Sequence, residues 1–185
     1  MQKTLILLAV LVVSAQTSLA QIFKAKDGST NITFFSTSPL EDITAINKGA
    51  IIVYNSSTND IQIRISVINF KFKNGLMEEH FNDNYMETEK FPNAVFKGKI
   101  NEKIDMTKDG DTKVTVTGKM EMHGVTKDET FEGTATKNGS DIRIKTKFKI
   151  KLVDYSIKVP SLYVKNIAEI VDVDVVSILE PFQKK

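Results

Sequence analysis

The sequence predicts an all-β domain: a long antiparallel sheet closed into a barrel of about eight strands, with one short helical insertion. Three observations carry that reading. Asp141–Leu152 alternates with period two, Ile142, Ile144, Phe148, Ile150 and Leu152 against Asp141, Arg143, Lys145, Lys147, Lys149 and Lys151; only Thr146 breaks the apolar set. Such alternation puts one face in water and the other against apolar material. Strand-like segments follow one another with short polar turns between them. Ile61–Phe72 also changes its apolar phase midway, from Ile61, Ile63, Ile65 and Val67 to Ile68, Phe70 and Phe72. A phase change of that kind implies a bulge or a strong bend, which closed barrels need. A two-sheet sandwich is the alternative way to hide one apolar face; closure also removes the sheet's edges.

Met1–Ala20 reads as a secretory leader rather than as part of the fold. Lys3 supplies the positive start, Leu5–Val13 the apolar stretch, and Ser18-Leu19-Ala20 a small-x-small cleavage signal, placing cleavage after Ala20. The apolar stretch is too short to span a bilayer core of about 30 Å. Residues 21–185 then form one domain, since no linker rich in Pro, Gly or Ser divides them. Asn31–Thr37 and Lys48–Asn55 are the first strands, followed by a turn cluster at Ser56–Asp60 and the bent strand Ile61–Phe72. Asn74–Asn84 is the helix: Asn74 can cap it, and Leu76, Met77, His80 and Phe81 share a face. After Phe91-Pro92, strands are expected at Ala94–Met106, Thr112–His123, Thr126–Lys137, Asp141–Val153 and Ile167–Leu179, with a less regular Asp154–Lys165 before the last. Asn138-Gly139 reads as a type I′ hairpin turn. Asp172 and Asp174 could face the lysine row of Asp141–Leu152 if those strands pair.

Composition excludes several kinds of function. The chain has no Cys, hence no disulfide and no thiol chemistry. Without Lys3 it carries 24 basic and 23 acidic residues, a balance that gives no general pull toward nucleic acid. The two histidines, His80 and His123, stand far apart, with no third ligand at recognisable metal spacing. No nucleophile motif and no phosphate-cradling Gly-rich loop is present, and Glu78 and Glu79 point apart on a helix.

The signal lies in the inward positions. From the N-terminal half these are Phe34, Ile52, Tyr54, Ile63, Ile65 and Val67; from the C-terminal strands they are Phe96, Ile100, Val114, Val116, Met120, Met122, Phe131, Ile144, Phe148, Ile150, Val171, Val173 and Val175. Gly98, Gly118, Gly133 and Ala135 in the same strands either leave space or relieve strain at a bend. These residues can form a packed core or line a ligand space.

Two blocks carry a family resemblance. Met77–Met86 with Phe91-Pro92-Asn93-Ala94-Val95-Phe96, and Val116–Lys127 with its Gly118 and Gly124, are similar to the YceI-like family. Phe148–Ile150, Asp154–Ile157 and Ile167–Val175 resemble its C-terminal strands; Ala50 stands where the family carries an aromatic residue. The resemblance implies a secreted or periplasmic protein with an extended lipocalin-like barrel that holds an isoprenoid or other long-chain lipid in an internal tunnel. It implies a non-enzymatic carrier or sequestering role, with no required cofactor and no stable membrane insertion. The inward residues above would contact the lipid, and Leu76, Met77 and Phe81 would gate one end, with Tyr85 nearby. Asn69, His80, Asn84 and Tyr85 are the candidates for a polar head group. The rival readings are a ligand-free interaction module with a filled barrel, including a homodimer, and an enzyme acting on the lipid.

Overall fold

The computed structural model describes residues 21–37, 42–158 and 169–182. The expected leader, residues 1–20, lies outside these, as do residues 159–168 of the irregular connection and the first residues of the last predicted strand. Among the described residues, eleven strand segments form one sheet: β1 (Ile22–Ala25), β2 (Asn31–Ser36), β3 (Ile43–Asn47), β4 (Ile51–Asn55), β5 (Asp60–Ser66), β6 (Lys71–Phe72), β7 (Asn93–Ile100), β8 (Gly110–Met122), β9 (Val125–Asn138), β10 (Asp141–Lys151) and β11 (Ile170–Pro181). The order β1-β4-β5-β7-β8-β9-β10-β11 closes through a β1–β11 pairing, and β2, β3 and β6 continue the sheet from β11.

Three strands of the barrel are each broken in two. β1 and β2 both run antiparallel along β11, with Ala25 opposite Leu179 and Asn31 opposite Val176. β3 and β4 likewise succeed one another, as do β5 and β6, so eleven segments make an eight-stranded, closed, antiparallel barrel. Each break has a cause in the sequence. Gly28 takes φ +72° in the first, and Ser29 Oγ donates to the Lys26 and Ile178 carbonyls. In the second, the buried Asn47 donates from Nδ2 to Ser66 O (2.8 Å) and accepts the Gly49 N–H (2.9 Å), which starts β4 at Ile51 rather than at Lys48. The third is the 3₁₀ turn Val67–Asn69, at the predicted phase change; it buries Val67 and turns Ile68 out to solvent.

β1 and β3 were not expected, being short and without a run of alternation, whereas β8 to β10 follow the predicted segments within a few residues. The strand expected to reach Met106 ends at Ile100. The Asn138-Gly139 expectation is corrected. Asn138 pairs with Asp141 and stays in the strand, so the loop is Gly139-Ser140 with positive φ at Gly139 alone, the pattern of a type II′ turn. The turn with two positive φ values is His123-Gly124 (+50° and +74°), between the paired Met122 and Val125. The expected charge match is present: Lys147 faces Asp174, Lys149 faces Asp172, and the latter pair is 2.7 Å apart.

The two ends of the barrel differ. At the end holding the β4–β5 and β9–β10 turns, Phe23, Ile52, Tyr54, Ile142 and Leu179 fill the bore, each no more than 1 % exposed. At the other end β6 has no ladder to β7, and the insertion α1 (Gly75–His80), extended by a π-helical turn at Phe81–Tyr85, occupies that part of the wall. Asn74 caps α1 by accepting the Met77 N–H (2.9 Å). No described helix is long and apolar enough to cross a membrane.

Candidate functional site: an apolar cavity in the barrel

Strand alternation delivers the wall of a cavity at the helix end. β2 contributes Ile32 and Phe34, β8 Met120 and Met122, β10 Phe148 and Ile150, and β11 Val171, Val173 and Val175. Beyond the third break, Phe70 and Phe72 point inward, and the insertion adds Met77, His80, Phe81, Tyr85 and Met86. The π-helical turn matters here. A six-residue α-helix alone has too little length to present a continuous apolar face. The wider turn, with Met86 N–H donating to Phe81 O, brings Phe81, Tyr85 and Met86 onto the cavity together.

This cavity has a volume of about 240 Å³, and a second of about 90 Å³ lies deeper, lined by Ile61, Ile63, Phe96, Ile100, Val114, Val116, Phe131 and Ile144 among others. Ile32, Ile65, Ala94, Met120, Phe148 and Val175 border both, so they form a neck between two chambers. The interior is therefore hollow at one end and solid at the other. Four phenylalanines cluster in the larger chamber's wall: Phe34 lies 5.6–5.8 Å from Phe70, Phe72 and Phe81 between ring centroids, and Phe72 lies 4.9 Å from Phe81. Such edge and offset contacts hold flat aromatic surfaces in place.

Most of the predicted inward residues reach these chambers. Phe34, Val67, Met77, Phe81, Tyr85, Met122, Ile150 and Val173 line the larger, Ile63, Phe96, Ile100 and Phe131 the smaller, and Ile65, Met120 and Phe148 both. Five residues are placed differently from expectation. Ile52 and Tyr54 belong to the packed end, where the Phe23 and Tyr54 rings lie 6.0 Å apart, and they touch neither chamber. Leu76 is 61 % exposed and faces away from the cavity, whereas Met77 and Phe81 line it. Asn69 and Asn84 do not line it either. Phe70, Phe72, Met86, Ala94 and Ile157 were missed as wall residues; the phase change in Ile61–Phe72 was the signal for the first two.

Ser36, His80 and Tyr85 are the polar side chains of the larger chamber's wall among the described residues. The buried Tyr54 phenol is pushed up to about 12 by desolvation, and its hydroxyl donates to Asn59 Oδ1 (3.1 Å). Tyr155 is also held well above the ordinary phenol value, first by burial and then by Glu129, whose Oε1 accepts its hydroxyl at 2.7 Å. Among the described residues no group of three or more His, Asp or Glu converges as a metal site. A wall of this kind offers shape and apolar area, with few polar groups.

Solved structures share the architecture. A polyisoprenoid-binding domain from Saccharophagus degradans implicated in plant cell wall breakdown superimposes with a TM-score of 0.76 at 16 % identity, covering 86 % of this chain and 98 % of its own. BcnA of Burkholderia cenocepacia gives 0.70 at 15 % identity, over 83 % and 98 %. A YceI protein of Campylobacter jejuni gives 0.55 at 18 % identity, over 74 % and 81 %. Among curated proteins, none matches the chain. The model of the YceI-like domain matches residues 18–177, and with most of its length accounted for in this way, the chain belongs to the YceI-like family.

Proposed function

We propose that this protein binds a long apolar lipid inside the barrel and carries or sequesters it without transforming it. The ligand class is an isoprenoid, an isoprenoid quinone or a fatty acid derivative. The observation that carries the reading is the hollow, phenylalanine-lined end of a barrel whose opposite end is packed solid. A protein that only needed a stable core would gain dispersion energy by filling that space. The polyisoprenoid binding ascribed to the Saccharophagus degradans domain, which shares the fold, supports the same ligand class. Each buried methylene contributes roughly 0.8 kcal/mol, so about eight give on the order of 6 kcal/mol gross before ordering costs are subtracted. No cofactor, nucleic acid or polar anchor is required for such binding; Ser36, His80 and Tyr85 are placed to meet a polar terminus. The leader-like residues 1–20 support export, with the protein working in the periplasm or outside the cell after cleavage near Ala20.

Native mass spectrometry of the exported protein, purified without detergent, tests the reading. A lipid-sized adduct, lost on denaturation, is expected. Protein that carries no adduct and takes up neither a polyprenyl nor a fatty chain would overturn it.

A further inference from the structure

The barrel is not hydrogen-bonded all the way round. β9 and β10 pair from Asn138–Asp141 only as far as Gly133–Thr146. Below that point β9 remains laddered to β8 as far as Val125, and β10 to β11 as far as Lys151, but not to each other. What bridges the split is side chains. Thr146 Oγ1 donates to Glu132 O (2.6 Å), and the Phe131 and Phe148 rings meet at 4.2 Å. Beyond them, the 3₁₀ turn Leu152–Tyr155 patches the remainder. Tyr155 is 2 % exposed and donates to Glu129, its carbonyl lies 3.0 Å from His123 Nδ1, and Lys127 pairs with Asp154 at 3.0 Å. Lys127 and Glu129 occupy the strand face that carries Phe131, Gly133 and Ala135 higher up, so these charges sit at inward positions and are satisfied by the patch. Both chambers reach this seam. Glu132, Gly133, Lys145 and Thr146 border the smaller, and Ile150, Leu152 and Ile157 the larger.

From this arrangement we infer that the β9–β10 seam is a side portal for the apolar chain, with the Tyr155 turn as its latch. The inference rests on the lipid-binding reading above. Opening the portal breaks side-chain contacts and no backbone ladder, so it belongs to the low-energy local openings of a native protein. A chain-shaped ligand can then slide in along its length instead of threading end-on past Met77 and Phe81.

The test uses the absence of native cysteine. Continuing the register past Thr146–Gly133 sets the exposed Thr130 and Lys149 opposite each other across the unpaired half. The variant T130C/K149C, bridged by a short bis-maleimide, clips the seam; T136C/R143C, bridged in the same way, clips a pair already joined by the ladder and lining neither chamber. Uptake of a conjugated polyene fatty acid from phosphatidylcholine vesicles is followed by stopped-flow fluorescence, with final occupancy read at equilibrium. The clipped seam should slow uptake at least tenfold without changing occupancy. The ladder clip and both unbridged variants should keep the wild-type rate, and Tyr155→Phe should speed uptake several-fold. Wild-type uptake by the clipped seam would overturn the portal and leave lipid binding standing. No uptake by any of the proteins would overturn both.

Discussion

Phe148 offers the sharpest perturbation of the cavity. Its half-buried ring borders both chambers, lies 4.2 Å from Phe131, and comes from a residue opposite Val173 in the ladder. In a homologous series of fatty acids, each added methylene should tighten binding by roughly 0.8 kcal/mol, about fourfold in Kd, until the chain meets the neck. Phe148→Ala opens the neck and joins a 90 Å³ chamber to a 240 Å³ one, at least three-eighths more room. If roughly eight methylenes fill the larger chamber, three more fit in the variant, for about 2.4 kcal/mol or roughly sixtyfold at the long end of the series. Removing a fully packed Phe costs about 3–5 kcal/mol of stability. Here one side of the ring already faces a void and has fewer contacts to lose, so a cost of about 2–3 kcal/mol is expected. Titration calorimetry across chain lengths reads the saturation point. Saturation at the same length in both proteins, or a flat dependence on length, would refute the two-chamber reasoning. A charge arm checks the register. Phe148→Asp should abolish uptake or folding, whereas Lys147→Asp, on the outer face opposite Asp174, should cost only tenths of a kcal/mol to about 1. Equal tolerance of the two would show that the inward face is misassigned.

Two further expectations concern the frame. A Cβ on Gly118 would lie 2.3 Å from Lys97 O and 2.4 Å from the Gly98 Cα, so Gly118→Ala should force β7 and β8 apart and cost about 1–3 kcal/mol, a Tm drop of roughly 2–12 °C. Gly75→Ala, with open space around the new methyl, should not lower Tm in the same calorimetric scan; equal losses would mean the close strand approach is not what Gly118 provides. In an alkaline titration of phenolate absorbance, part of the native signal should lag behind that of urea-unfolded protein, because Tyr54 is pushed to about 12 and Tyr155 also upward. Raised phenol values favour the neutral, folded form, so their stabilisation is complete below about pH 10 and lost as pH rises through the folded values. Coincident native and unfolded curves would contradict the burial of both rings.

How much of this was legible in the sequence depends on which force fixes each element. β8 to β10 are long alternating runs, and alternation alone sets their inner face. β1 and β3 are four and five residues long, and their strand character comes from neighbours β11, β4 and β2, which no local pattern announces. Leu76 was misplaced because it falls at the edge of the face set by Met77, His80 and Phe81, roughly 100° round the helix from Met77. Residue type predicted apolar walls correctly at Phe34, Met120 and Phe148, but Tyr54 and Ile52 have the same chemistry and sit in solid packing. Whether an apolar position lines a void or fills one is set by the sizes of residues on facing strands. Lys127 and Glu129 were invisible for a related reason: charges at inward positions make sense only once the break in the β9–β10 ladder is known.

The division of the barrel into a plugged end and a hollow end also distributes stability in a way that suits a carrier. With no disulfide available, cohesion must come from burial, and Phe23, Ile52, Tyr54, Ile142 and Leu179, each no more than 1 % exposed, gather where β1, β4, β10 and β11 close the ring. Toward the cavity two strands are interrupted, between β3 and β4 and between β5 and β6, one ladder stops short, and an insertion replaces part of the wall. Each of those features lowers local cohesion, and each lies at or below the level of the chambers. A wall made of short pieces can part to admit a chain and close again over it. The fully paired end keeps the register of every strand fixed while it does so, because a slip of one residue would turn the whole inner face outward. Hollowness and cohesion therefore compete within one barrel, and the sequence resolves the competition by separating them along its axis.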